Sequence, residues 1–362
     1  MRVAELVVKA STGTYPVVIE AGVAARVGDW VRDRARGSQV LVACDHNTAE
    51  IAGSRIASDA GATVLELDTG EKVKSFEHLQ SLCAAAAGAG LDRGSIIVAV
   101  GGGVVGDLAG MAAAIYLRGV RLVQVPTTLL AMVDSSIGGK VGVNLTAGKN
   151  LVGAFKPPEA VFVDPELLRE LPAREFRSGM AEVIKSGLVA DPDLTDLLDS
   201  RGDDVRARDL AALLDVIART CAVKVGVVTR DEVESGERAI LNYGHTFAHA
   251  LEAASGYSPL LAHGEAVSAG MAVAGRLGAD AEVTPADLVA RQNRQLEAYG
   301  LPLVSPIRVT ADAVVEAMAH DKKTRAGRVR WVLLDRLGHA TWGHELDDGM
   351  VRLAVTAGLG NA

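Results

Sequence analysis

Ser95-Ile96-Ile97-Val98-Ala99-Val100-Gly101-Gly102-Gly103-Val104-Val105-Gly106-Asp107-Leu108-Ala109-Gly110 is an apolar, β-branched run that ends in glycines and passes into a helix-forming segment. A run that is apolar at every position predicts a strand covered on both faces, as in a parallel sheet flanked by helices. The glycines let backbone approach a pyrophosphate, and the helix that follows offers free N–H groups and a partial positive charge. The letters satisfy G-x-G-x-x-G, a weak signal alone, because strand-to-helix junctions also use glycine for packing. The usual dinucleotide fold puts this motif after its first strand, with an acid about twenty residues on. Here earlier strands precede it, and the position expected to be acidic falls in Arg121-Leu122-Val123-Gln124-Val125. An acid ends an earlier strand instead, in Cys44-Asp45-His46-Asn47, which makes Asp45 and Asn47 candidates for an adenosine ribose.

Outward from this run the pattern repeats. Apolar strands are expected at 39–43, 62–67 and 121–125, separated by helices near 23–35, 48–60, 75–89 and 104–117. Residues 3–8 and 15–20, with Gly13 between them, read as an early hairpin. The expectation is an α/β nucleotide-binding domain with a mostly parallel sheet. After about residue 170 the periodicity turns helical, near 173–190, 206–230, 236–256, 264–280 and 284–299, with a late strand pair around 328–335 and 339–342. Prolines at 157, 158 and 172 break helices near the change of character. The division expected is 1–170 for the nucleotide domain and 171–362 for a mainly α-helical domain carrying metal and substrate groups.

Composition narrows the function. A chain of 362 residues, 49% hydrophobic and 23% charged, has the make-up of a folded globular protein. A net charge of −8 argues against a nucleic-acid or anionic-membrane surface, where clustered positive charge supplies the attraction. Cys44, Cys83 and Cys221 are odd in number and widely spaced, which fits a reducing compartment. The charged start Met1-Arg2-Val3-Ala4-Glu5 does not suit a signal peptide, and no run reaches membrane-spanning length, so a cytoplasmic enzyme is expected.

Two rim loops follow predicted strands, Asp68-Thr69-Gly70-Glu71-Lys72-Val73-Lys74 and Pro126-Thr127-Thr128; hydroxyls and a lysine there suit nucleotide oxygens, or simply cap turns. In the helical half, Leu241-Asn242-Tyr243-Gly244-His245-Thr246-Phe247-Ala248-His249-Ala250-Leu251-Glu252 sets two imidazoles on one helical face. His263-Gly264-Glu265 follows, and Glu182 with Lys185 lies upstream. Glu182, His245 and His263 can supply the three ligands of a catalytic zinc; a His245/His249 pair is the competing set, and satisfied core histidines are the third reading. Glu182 and Lys185 also suit a surface ion pair, but Met180, Val183, Ile184 and Leu188 around them predict a buried helix. Lys140, Lys149, Lys185, Lys224, Arg238 and Lys322-Lys323 sit in or beside apolar, glycine-rich segments. So many bases in an acidic chain imply a polyanionic ligand that neutralises them.

These motifs, in order from Gly101-Gly102-Gly103 through Pro126-Thr127-Thr128, Asp134 to Lys140, Gly148-Lys149-Asn150, Gly179 to Lys185, Asn242 to Thr246, His263-Gly264-Glu265 and Asp321-Lys322-Lys323, resemble the 3-dehydroquinate synthase family of sugar phosphate cyclases. The resemblance spans about Asp45 to Leu334. It implies zinc, with Co2+ as a substitute, on Glu182, His245 and His263, which moves His249 to the substrate. It implies NAD near Asp45, Asn47, Glu71, Lys74, Gly102, Gly103, Val104, Asp107, Thr127, Thr128, Lys140 and Lys149. The implied substrate is 3-deoxy-D-arabino-heptulosonate 7-phosphate, a phosphorylated keto-acid sugar. The implied reaction is transient oxidation, loss of phosphate, reduction, ring opening and aldol closure, a step of the shikimate pathway. Lys140, Asn150, Asn242, His249 and Lys322 or Lys323 are then expected around phosphate, and Lys224 and Arg238 around the carboxylate. Asp134 and Lys185 are expected to orient hydroxyls, and Arg118 to reach a neighbouring subunit in a homodimer. Val141 and Glu170 stand where the family commonly has threonine. The rivals are another cyclase, of the 2-deoxy-scyllo-inosose or valiolone type, and a metal-dependent polyol dehydrogenase, whose substrate would not need so many bases.

Overall fold

A computed structural model of the protein describes residues 4–11, 13–319 and 329–360. The chain divides into two compact units, Met1–Leu171 with Leu213–Thr229, and Pro172–Ala212 with Arg230–Ala362.

In the first unit β1 (Ala4–Ala10) and β2 (Gly13–Ile19) form the early hairpin, followed by α1 (Ala24–Ala35) and β3 (Val40–Asp45). A single turn α2 (His46–Thr48) and a wide turn Ala49–Gly53 lead into α3 (Ser54–Ala60), so the helix expected over 48–60 is interrupted. Gly53 lies against β3: a Cβ there would meet Cys44 Sγ at 2.9 Å. β4 (Thr63–Leu67), α4 (Phe76–Gly88), β5 (Ile96–Gly101), α5 (Gly103–Ile115) and β6 (Arg121–Pro126) continue the alternation. After β6 come a hairpin of β7 (Lys140–Leu145) and β8 (Gly148–Phe155), then β9 (Ala160–Val163). The sheet order is β1-β2-β9-β6-β5-β3-β4, parallel except for the β1–β2 pair.

Alternate residues of the central strands feed two cores, as a period of two requires. Leu41, Ala43, Ile97, Ala99 and Leu122 pack with Leu79 and Leu82 of α4 and Val105 and Leu108 of α5. Val42, Val98 and Val123 pack on the other side with Val27 and Val31 of α1 and Ile56 of α3. The β7–β8 hairpin lies on α5, where a Cβ at Gly110 would stand 2.3 Å from Val141 Cγ1. The valine at 141 therefore fills an apolar contact that Gly110 leaves room for.

The second unit begins with α6 (Ala173–Ala190), buried around nearly its whole circumference, then α7 (Pro192–Ser200) and α8 (Gly202–Arg206). The sequence reading counts the next helix, α9 (Leu210–Arg230), with the second domain; its Leu213–Thr229 stretch groups with the first unit. There Cys221 Sγ lies 3.4 Å from Met132 O, and Lys224 Nζ lies 2.5 Å from Asp134 Oδ1. The helix expected over 236–256 is also broken. A tight turn Glu237–Asn242 ends before Gly244, whose φ of +79° redirects the chain into α10 (His245–Ala254). α11 (His263–Asp280), α12 (Ala286–Ala298), α13 (Ala311–Ala319), the hairpin of β10 (Trp331–Arg336) and β11 (His339–His344), and α14 (Asp348–Gly358) complete the unit. Among the described residues no helix is long and apolar enough to cross a membrane.

Candidate metal centre and nucleotide rim

Three helices of the second unit deliver one group each. Glu182 comes from the middle of buried α6, His245 is the first residue of α10, and His263 is the first residue of α11. Glycines let these helices approach: a Cβ at Gly264 would meet Ser178 O on α6 at 2.1 Å. His245 Nε2 and His263 Nε2 stand 3.5 Å and 3.8 Å from Glu182 Oε1. One ligand atom from each residue falls within 4.8 Å of the others. Both Glu182 oxygens are buried without a hydrogen bond, although Lys185 Nζ forms an ion pair with Oε2. Leaving buried carboxylate lone pairs unmatched is costly. A divalent cation would satisfy those of Oε1, and a carboxylate with two imidazoles is a zinc-type donor set.

The outer groups aim the imidazoles. His245 Nδ1 lies 3.2 Å from Tyr243 O, and His263 Nδ1 lies 3.4 Å from Glu252 Oε1, so each Nε2 is left for the centre. His249, one turn after His245, has its ring 5.2 Å from that of His245 and stands outside the three-ligand group. Sequence reasoning alone does not single out buried Glu252. The signal it offers is its place two turns after His245 on the same helical face. A Glu252→Gln enzyme is expected to keep its fold and bind zinc about 10–100-fold more weakly. Competition against a graded chelator measures this, and an unchanged affinity would remove Glu252 from the centre. Glu265 stands outside the three-residue group and braces the start of α11. Its oxygens accept Arg174 Nε at 2.9 Å and Nη2 at 2.7 Å, and the Ala262 N–H at 2.9 Å. Burial pushes the Glu265 carboxyl up, but Arg174 and the Ala262 N–H outweigh it and hold the group below its ordinary value.

Asn242 and Arg238 flank the same helix start. Asn242 Nδ2 donates to Glu234 Oε1 at 2.6 Å, and the Arg238 guanidinium donates to Glu232 O. Asp231 builds this loop by accepting the N–H groups of Ser235, Gly236 and Arg238 at 2.8, 2.8 and 3.1 Å. Burial works against its charge, yet these bonds bring its carboxyl down to about 2. Glu234, which no sequence motif marks, sits in this loop with a left-handed φ of +62°. Lys322 and Lys323 lie outside the described residues.

On the first unit, Gly102 caps α5 without a side chain, leaving backbone donors at the helix start. Cβ atoms at Gly102 and Gly103 would come within 3.1 Å of Thr128 Cγ2 and Ser135 Oγ. Val104 follows and packs partly into the core under α5. Thr127 N–H bonds Gly101 O at 3.0 Å, and Thr128 Oγ1 accepts the Ala131 N–H at 3.1 Å, so these threonines also serve the turn. Asp45 caps α2, accepting the Thr48 N–H at 2.9 Å, and Asn47 is exposed beside it. Lys74, nearly buried, contacts Asp107 Oδ2 at 2.5 Å and Glu71 Oε1 at 4.0 Å. Burial raises the Asp107 carboxyl above its ordinary value, against the pull of Lys74. The structure thus groups Glu71, Lys74 and Asp107, and pairs Asp134 with Lys224. Lys140 and Asn150 are exposed and Lys149 half-buried on the β7–β8 hairpin. Arg118 is exposed at a tip where Leu117 and Arg118 have φ of +49° and +67°. Glu170 lines a cavity of about 280 Å³ with Ile51, Arg55 and Glu166, apart from these groups.

Models of the 3-dehydroquinate synthase N-terminal and C-terminal regions match residues 64–178 and 179–324. A 3-dehydroquinate synthase of Xylella fastidiosa is 44% identical, covering 94% of this chain and 89% of its own. A crystal structure of 2-deoxy-scyllo-inosose synthase, complexed with carbaglucose-6-phosphate, NAD+ and Co2+, aligns with a TM-score of 0.87 at 28% identity, over 98% of this chain and 100% of that one. A 2-epi-5-epi-valiolone synthase from Streptomyces hygroscopicus with NAD+ and Zn2+ bound aligns at 0.86 and 28%, over 99% of both chains. The fold is that of a sugar phosphate cyclase, and the Glu182, His245 and His263 group is a candidate metal site within it. Within that superfamily, the chain belongs to the 3-dehydroquinate synthase family.

Proposed function

We propose that the enzyme converts 3-deoxy-D-arabino-heptulosonate 7-phosphate to 3-dehydroquinate and phosphate, as a lyase of the shikimate pathway using NAD and zinc, with Co2+ as a substitute. The observation that carries this reading is the buried Glu182/His245/His263 set in a chain 44% identical to a 3-dehydroquinate synthase over 94% of its length. When bound, NAD supplies a temporary hydride acceptor and the cation a Lewis acid for the substrate hydroxyls.

The chain's own groups do the rest. Glu182, His245 and His263 hold the cation, and Lys185 neutralises the outer oxygen of Glu182. The donors at Gly102, Gly103 and Val104 take the pyrophosphate, Asp45 and Asn47 the ribose, and Glu71, Lys74, Asp107, Thr127, Thr128, Lys140 and Lys149 the remaining cofactor contacts. Asn150, Asn242, His249, Lys140 and Lys322 or Lys323 hold the phosphate that leaves, while Lys224 and Arg238 face the carboxylate. Asp134, which pairs with Lys224, and Lys185 orient the substrate hydroxyls and tune the proton traffic. The chain works as a homodimer in the cytoplasm. Exposed Ile115, Leu117, Leu151 and Phe155, at 39–49% accessibility, supply an apolar surface for the partner, and Arg118 is the side chain offered to it.

The test supplies the seven-carbon keto-acid phosphate with zinc and a catalytic amount of NAD and follows phosphate and NADH together. Phosphate equal to substrate with no lasting NADH is expected. Steady accumulation of NADH would indicate a dehydrogenase, and turnover of glucose 6-phosphate or sedoheptulose 7-phosphate instead would indicate another cyclase.

A further inference from the structure

We propose that Asn144 is a positioning residue that ties the nucleotide-side pair Glu71 and Lys74 to the phosphate-side Asn150. The inference rests on the reading above for what those three residues hold. Asn144 sits in β7 where the register with β8 shifts between Val143 and Leu145. Such an irregularity frees a residue from the ladder and re-aims its polar groups. Its backbone N–H donates to Lys74 O at 2.8 Å. Its side-chain Nδ2 donates to Glu71 Oε1 at 2.8 Å, and its Oδ1 accepts the Asn150 N–H at 2.9 Å. The neighbours fix which end of the amide is which, since a carboxylate needs a donor and an N–H needs an acceptor.

Each arm has a separate consequence. The Glu71 arm, with the backbone bond to Lys74, anchors the turn Glu71–Val73 and the lysine that reaches Asp107. The Asn150 arm supports a residue at φ +54°, a left-handed conformation that asparagine adopts more readily than other side chains but that still depends on local hydrogen bonds. Loss of that bond removes one restraint on the backbone that carries the Asn150 amide assigned above to the phosphate. One neutral side chain of matched donor and acceptor thus sets both parts of the first unit. No ionic group serves both arms: a carboxylate repels Glu71, and an ammonium has nothing to offer the Asn150 N–H.

Two variants, one near-isosteric and one truncating, separate the arms. Asn144→Asp keeps an acceptor for Asn150 but faces Glu71 with like charge, so the holoenzyme is expected to bind NAD about tenfold more weakly while the substrate KM stays within about twofold. Asn144→Ala loses both arms, and NAD Kd and substrate KM are each expected to rise about tenfold. Calorimetric titration with NAD, initial rates of phosphate release and a melting temperature are read on wild type and both variants. A purely structural role would move both constants together with the melting temperature and would not give the Asp variant its split. The inference is overturned if Asn144→Ala leaves both constants at the wild-type values, or if Asn144→Asp raises KM as much as Kd. A wild-type enzyme that neither binds NAD nor releases phosphate would overturn the functional reading and this inference together.

Discussion

Glu182→Gln enzyme is expected to purify without zinc and to release phosphate on the order of a thousandfold more slowly than wild type, since the lost cation contributes several kcal/mol to the barrier. The change is nearly isosteric, so it isolates charge from shape. Glu182 is the sole anion of the three-ligand group, and its Oε1 is the atom both imidazole Nε2 atoms face. An amide there offers a weaker ligand and leaves buried Lys185 beside a neutral partner. Removing one member of a buried ion pair costs about 3–5 kcal/mol, so a lower melting temperature accompanies the loss. Zinc titration separates the two effects. Wild-type stability rises with zinc because the cation binds the folded state, whereas the melting temperature of the variant stays flat. His249→Ala, by contrast, is expected to retain stoichiometric zinc while losing substrate affinity. Elemental analysis showing zinc in the Glu182 variant, or none in the His249 variant, would reverse the ligand assignment.

That assignment shows where sequence patterns stop. Spacing alone places His245 and His249 on one face of a helix, but it cannot say which of them meets a third group. The third candidate ligand, Glu182, comes from α6, far away in sequence, and only the packing of three helix segments brings it to His245 and His263. Near-continuous apolar runs make β3 and β5 legible, because burial on both sheet faces leaves little room for other residues, and β6 is read from Leu122, Val123 and Val125 despite Gln124 between them. The β7–β8 hairpin is not legible, since Lys140-Val141-Gly142-Val143-Asn144-Leu145 mixes glycine and polar residues and reads as a ligand loop. Its apolar face is short and leans on α5 through Gly110. Glu234, Glu252 and Asn144 escape a reading of the sequence for a shared reason. Each acts on other residues of the site through side-chain hydrogen bonds, and such pairings depend on tertiary placement, which no local period encodes.

Gly270→Ala should damage the centre without touching a ligand. An alanine in a helix interior normally stabilises by up to about 1 kcal/mol relative to glycine, so propensity alone predicts a more stable protein. Packing reverses the sign. A Cβ at Gly270 would stand 2.0 Å from Gly244 O, 2.9 Å from Gly244 C and 3.3 Å from Ala248 N, all of them backbone atoms that cannot rotate aside. Gly244 is equally confined, because its own Cβ would meet Met271 N at 2.8 Å and Val267 O at 2.9 Å, and its φ of +79° already requires glycine. The two helices therefore cross at glycine on both sides, and an added methyl must force α10 and α11 apart. Overpacking of this kind costs about 1–3 kcal/mol, and a rigid backbone contact belongs at the upper end. At roughly 2–4 °C per kcal/mol, the melting temperature is expected to fall by about 5–10 °C. The displaced segment begins at Gly244, the residue immediately before His245, while His263 stays on the other helix, so zinc affinity should fall with stability. Gly88→Ala is the matched control: it lies at the end of α4 with nothing within 4 Å of a built Cβ, and it should be neutral or slightly stabilising. If Gly270→Ala melts with the control and holds zinc as tightly as wild type, the close crossing of α10 and α11 is not what fixes the distance between His245 and His263.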